Sequence, residues 1–278
     1  MKTNRGGEFR SFIIHEDDFY KPDDQIPNAT LPSGDQVADW DVVEALDIES
    51  LKKALAYVQQ HGVLPPFYQS KEDLNQQTDA GVDESTILRL RNHVVERLHS
   101  IIGERKLTLP LLEGFLLYAA PNDESHPLHG IDSLIQVPFF LPVTYSLLKK
   151  RRESRKGYVT IGPSGSPHES DTHIENPTPE QRGEAIEGKH VEHFWVDPPG
   201  YVDDITWPRY VRDHAWLLAP EAPSGTTEAE LVKLVGEGKY IKPDTKLLVA
   251  VGMGEGNMTE ILEWATEEIL KAIEQFGH

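Results

Sequence analysis

Apolar residues gather into short runs of two kinds, separated by polar and proline-rich stretches. The first kind is brief and continuous. Ser11-Phe12-Ile13-Ile14-His15 stops at charged residues, which is how a buried parallel strand reads. Leu107-Thr108-Leu109-Pro110-Leu111-Leu112 ends as abruptly at Glu113-Gly114, and Gln136 to Val143 and Lys246-Leu247-Leu248-Val249-Ala250-Val251 predict further strands. The second kind recurs at helical spacing. Val43, Leu46, Leu51, Leu55 and Val58 follow Trp40-Asp41 in this way, as do Ile87, Leu90, Val94, Leu98 and Ile101 between Asp83 and Ile102. Further helices are predicted around Lys149 to Lys156, near Trp207 to Leu217, and from Asn257, a cap with Glu260 behind it, to about Phe276. Pro22, Pro27, Pro32 and Gly34 argue against regular structure through Asp39. Residues 159–200 hold Pro163, Pro167, Pro177, Pro179 and Pro198, and read as an inserted loop over about 159–196, with a second insertion at about 219–245.

Strands alternating with helices predict an α/β architecture, a single Rossmann-like domain over 1–278 with a mainly parallel sheet. Ligands of such sheets gather beyond the carboxyl ends of the strands. That selects Glu16-Asp17-Asp18, Glu113-Gly114 and Gly252-Met253-Gly254-Glu255-Gly256. There is no internal repeat.

Composition narrows the function classes. The 27 Lys+Arg against 46 Asp+Glu leave a formal charge of −19, so a general nucleic-acid footprint is not expected. The longest apolar runs, Phe115 to Ala120 and Val137 to Val143, are shorter than the ~18 residues a membrane span requires. With no cysteine there are no disulfides, thiolate nucleophiles or Cys-based zinc sites. The polar start Met1-Lys2-Thr3-Asn4-Arg5-Gly6-Gly7 lacks the apolar core of a secretory signal, which makes the cytoplasm the expected compartment, with the nucleus as a second.

Within this acidic chain, two carboxylates at the ends of neighbouring strands would meet in one crevice. There one can deprotonate a hydroxyl and the other hold Mg²⁺, and Asp17 and Glu113 are the candidates. Strand-end acids also cap turns and helices, so the pair alone does not decide. Six basic residues fall within the eight positions from Lys149 to Lys156, and Arg151 and Arg155 share a helix face. Guanidinium forks suit a polyphosphate, although a basic helix paired with the chain's own acidic surface is the plainer alternative.

Five blocks then coincide in order: Glu16-Asp17-Asp18-Phe19-Tyr20-Lys21-Pro22-Asp23, Trp40-Asp41-Val42-Val43-Glu44-Ala45-Leu46, Leu112-Glu113-Gly114-Phe115-Leu116-Leu117, Lys150-Arg151-Arg152-Glu153-Ser154-Arg155 and Asp197-Pro198-Pro199-Gly200-Tyr201. Together they resemble nicotinamide riboside kinase of the fungal type, a uridine-kinase-like P-loop family that phosphorylates the ribose 5′-hydroxyl of nicotinamide riboside with ATP and Mg²⁺. The resemblance implies Asp17 as general base and metal neighbour, and Glu113 in the Mg²⁺ shell. Asp18, Phe19, Tyr20, Trp40, Asp41, Arg152 and Tyr158 would contact the nucleoside, with Trp40 against the cationic ring and Asp41 on the ribose hydroxyls. Arg151, Arg155, Gly254 and Gly256 would face ATP.

Such kinases need a strand, a G-x-x-x-x-G-K-[ST] loop and a helix ahead of the Asp17 strand. Sixteen residues precede Asp17 and no Gly-Lys-Ser or Gly-Lys-Thr occurs. The expectation is a sheet without its central strand, P-loop and first helix, from a truncated gene model or transcript, and poor phosphoryl transfer. A catalytically silent nucleoside-binding homologue is the alternative. Gly252 to Gly256 superficially matches a dinucleotide fingerprint, but its third glycine is misplaced and too little chain follows. His168, His173, His190 and His193 in the first insertion read as solvated rather than zinc-binding.

Overall fold

The computed structural model describes residues 8–70, 79–155, 158–160, 193–237, 242, 245–252 and 254–276. Strand β1 (Glu8–His15) runs parallel to β4 (Lys106–Glu113), with Glu8 opposite Lys106 and His15 opposite Glu113. The two predicted neighbours are therefore in register, and their carboxyl ends coincide. A second parallel pair joins β5 (Phe139–Phe140) to β8 (Leu248–Val249). Among the described residues the two parallel pairs form separate two-stranded sheets within a mixed α/β architecture. An apolar slot of about 880 Å³ lies between them, lined by β4 from Lys106 to Glu113, by Phe139 and Phe140, and by Ile269 and Ile273.

Helix α1 (Ile48–His61) starts where the Asp47 carboxylate accepts from the Ser50 N–H, and it buries Leu51, Ala54, Leu55 and Val58. That stripe packs with Ile14, Phe19, Leu116 and Ile131 into the main core. Helix α2 (Glu84–Ile102) is capped by Asp83, whose carboxylate accepts from the Thr86 N–H, and lies on the final helix α6 (Met258–Phe276). Three cross-helix pairs, Arg89–Glu263, His93–Glu267 and Arg97–Glu274, run along that seam. Asn257 caps α6 as read, accepting from Glu260 N–H at 2.9 Å. Helix α4 (Trp207–Leu218) falls where the sequence predicts it, but α3 (Tyr145–Glu153) ends at its Ser154 cap, so Arg155 lies beyond the helix and does not share a helix face with Arg151 as the spacing suggests.

Three elements fall where irregular chain was expected. An antiparallel hairpin, β2 (Asn28–Thr30) and β3 (Gln36–Ala38), occupies the proline-rich stretch, with its prolines outside the paired residues. Another, β6 (Tyr158–Thr160) with β7 (His193–Trp195), brackets the first insertion, so its base is paired strand; residues 161–192, including His168, His173 and His190, lie outside the described residues. Helix α5 (Glu228–Glu237) sits in the second insertion, where Thr227 accepts from the Glu230 N–H and Glu230 returns the bond in a capping box.

Candidate functional site

A polar cavity of about 490 Å³ opens beyond the carboxyl ends of β1 and β4. Five separated segments build its wall. The 3-10 turn Glu16–Phe19 after β1 brings Asp17, and Tyr20 follows it. The end of β4 and the turn after it bring Glu113, Gly114 and Phe115, the loop before α1 brings Trp40 and Asp41, and α3 brings Arg152, with Arg155 just past its end. The Asp197-to-Gly200 stretch closes the remaining side with Trp195.

Aromatic rings form part of this wall. Tyr20 stands edge-on to Trp40 with centroids 5.2 Å apart, and it stacks on Phe115 at 6.1 Å. Trp195 tilts over Trp40 at 5.8 Å. The Trp40 indole N–H is buried and has no hydrogen-bond partner among the described residues. Trp195 escaped the sequence reading because it ends the long insertion; its one signal was its place two residues before Asp197.

Charge lies below the rings. Arg152 donates from Nε and Nη2 to the Asp197 carboxylate at 2.8 Å each, and reaches Asp41 at 3.3 and 3.4 Å. Thr206 Oγ1 donates to Asp41 at 2.9 Å. Burial raises the Asp41 carboxyl above its ordinary range, opposed by the Arg152 guanidinium and the Thr206 hydroxyl. Burial also works against the charge on Arg152, but Asp41 and Asp197 hold its proton more firmly than usual. Tyr20 has its phenol pushed well up by burial and by the surrounding carboxylates, so it remains a neutral donor, bonded to the Trp40 carbonyl at 3.1 Å.

The structure thus brings Asp17, Tyr20, Trp40, Asp41, Glu113, Arg152 and Arg155 to one cavity. It places other candidates elsewhere. Phe19 is buried in the main core against Tyr68, because the 3-10 turn directs it inward, and it does not line the cavity. Asp18 also stays out of the wall, its carboxylate accepting from the Tyr68 hydroxyl at 2.6 Å. Arg151 lines the slot rather than the polar cavity, whereas Arg155 lines both. Tyr158 is paired with Trp195 through its backbone, and its side chain is outside what is described. Gly254 and Gly256 line neither space; Gly254, at φ +89°, packs so closely on Pro142 and Val143 that a Cβ would lie 3.1 Å from backbone.

The donor set suits Mg²⁺. Among the described residues no group of three or more His, Asp or Glu side chains is arranged to hold an ion alone. Mg²⁺ is commonly held by one or two carboxylates with the remaining positions left to water and substrate phosphate, which Asp17 and Glu113 at one edge can supply. Glu113 is steadied by His15, whose Nδ1 lies 2.6 Å from its Oε1.

Comparison with known proteins gives the same family as the ordered blocks. The chain is 26% identical over 264 residues to nicotinamide riboside kinase of Schizosaccharomyces pombe, covering 95% of this chain and 86% of that protein. The chain resembles the nicotinamide riboside kinases. It is also 26% identical over 265 residues to nicotinamide riboside kinase of Saccharomyces cerevisiae, covering 94% and 85%, and 33% identical over 153 residues to nicotinamide riboside kinase 2 of Mus musculus, covering 55% and 58%. No family model matches the chain. Among the described residues no helix is long and apolar enough to cross a membrane.

Proposed function

We propose that the polar cavity binds nicotinamide riboside, and that the chain is a kinase of this type, built for transfer of the γ-phosphoryl group of ATP to the ribose 5′-hydroxyl to give nicotinamide mononucleotide. The observation that carries this reading is the convergence of Asp17, Trp40, Asp41 and Arg152, from separate blocks, on one cavity at the strand ends. Trp40 and Trp195 offer π faces to a cationic pyridinium ring, and Asp41 offers paired acceptors to ribose hydroxyls. Asp17 takes the proton of the 5′-hydroxyl as its oxygen forms the new bond to the γ-phosphorus, and the bond to ADP breaks. Arg155, at the junction of cavity and slot, faces the phosphates. Mg²⁺ held by Asp17 and Glu113 would neutralise phosphate charge. The compartment on this reading is the cytoplasm, with the nucleus second.

The slot favours a second reading. The 278 residues contain no G-x-x-x-x-G-K-[ST] motif, and the slot lies between the facing strands β4 and β5. On this reading the slot is the space that a central strand and phosphate loop would fill. Without that loop the γ-phosphoryl loses positioning and charge neutralisation, the main sources of catalysis in this chemistry. The 278-residue chain would then bind the nucleoside and transfer phosphate poorly. The test is an assay of this chain with ATP, Mg²⁺ and nicotinamide riboside. Turnover on the order of 1 per second or faster, the ordinary kinase range, would show that another element replaces the loop.

A further inference from the structure

Glu16 is the one residue of the acidic turn after β1 that is fully buried. Its Oε2 accepts from the Leu116 N–H at 3.1 Å. The other oxygen, Oε1, is buried with no partner among the described residues. This side chain therefore crosses from the turn that carries Asp17 to the turn that carries Glu113. The fit is tight: a Cβ added at Gly114 would lie 2.3 Å from Oε2 and 2.5 Å from the Glu16 Cβ, so position 114 has no room for a side chain.

We infer that Glu16 is a positioning residue, which clamps the backbone at Leu116 and thereby sets the separation of Asp17 and Glu113 and the seat of the neighbouring Phe115 ring against Tyr20. Its effect on ligand binding rests on the nucleoside reading; the clamp itself does not. A buried amide that loses its acceptor is costly, so the turn relaxes once Glu16 is removed. What the clamp requires is an acceptor of this length, not a charge. Glutamine supplies one, and leucine fills the space without it.

The experiment compares wild type with Glu16→Gln and Glu16→Leu, by amide hydrogen exchange and by titration with nicotinamide riboside. In Glu16→Leu the Leu116 amide should exchange about tenfold faster or more, with α2 amides unchanged, and nucleoside affinity should fall by a similar factor. Glu16→Gln should restore both to within about threefold of wild type, the spread of ordinary context effects. Leu90→Ala, a buried change on α2 away from both cavities, controls for stability and should leave affinity intact. If Glu16→Leu does not fold, Gly114→Ala presses on the same contact and should give the same exchange pattern. Unchanged protection of Leu116 overturns the clamp, as does a glutamine variant as impaired as leucine. A wild type that ignores the nucleoside while the exchange pattern holds overturns the nucleoside reading alone.

Discussion

Replacing Arg152 with methionine removes the hub that joins α3 to the floor of the cavity. The guanidinium makes two bonds of 2.8 Å to Asp197 and two of 3.3 and 3.4 Å to Asp41. Its side chain is 18% exposed, against 10% for Asp41 and 16% for Asp197. Summing four charged bonds would overshoot, because they share one donor group and are not additive. The better guide is the loss when one partner of a buried ion pair is removed, about 3–5 kcal/mol. Residual exposure of all three groups puts this case at the lower end, about 3 kcal/mol. Denaturant unfolding at pH 7 measures it. Acid supplies a second signature: without the guanidinium, burial raises the Asp41 carboxyl further above its unfolded pKa, so the variant's deficit should shrink as pH falls through that raised value. A loss below about 0.5 kcal/mol at pH 7, the scale of an ordinary surface substitution, would show that the network is not the joint described here.

Leu51→Ala, at a fully buried site in the main core, should cost about 2–5 kcal/mol in the same unfolding measurement. The Glu16 carboxyl has its pKa raised, chiefly by burial, so its stabilising contribution is complete below the unfolded value of about 4.3 and is lost as pH rises through the folded value. Thermal melts of Glu16→Gln against wild type should therefore show an advantage for the variant that grows with rising pH; a difference constant from pH 4.5 to 8 contradicts that sign. Trp40→Leu removes the ring that meets Tyr20 and Trp195, and should weaken nicotinamide riboside binding about three- to thirtyfold, the scale of a lost cation–π contact. Unchanged affinity would remove Trp40 from the site.

What sequence alone disclosed depended on how local the signal was. The α6 cap was legible because an acceptor and its amide lie three residues apart, and the β1 and β4 runs because both end at acids. The β2–β3 hairpin was hidden by prolines that sit outside its paired residues. The β6–β7 hairpin joins residues 158–160 to 193–195 across the insertion, a separation that no local pattern spans. At the site, Asp17, Trp40, Asp41 and Arg152 were legible through ordered blocks. Phe19 was misplaced because a 3-10 turn points successive side chains in directions that strand or helix periodicity does not give. Glu16 was read only as part of an acidic strand end and given no role of its own, because its burial depends on an amide a hundred positions away.

Calorimetric titration of the 278-residue chain, first with nicotinamide riboside and then with ATP, tests the central claim most directly. The account predicts saturable binding of the nucleoside, weakened roughly 10- to 150-fold in Asp41→Ala, which corresponds to about 1.5–3 kcal/mol for a carboxylate that accepts ribose hydroxyls. Little heat should accompany ATP. A folded protein that binds ATP tightly and gives no heat with nicotinamide riboside would contradict it.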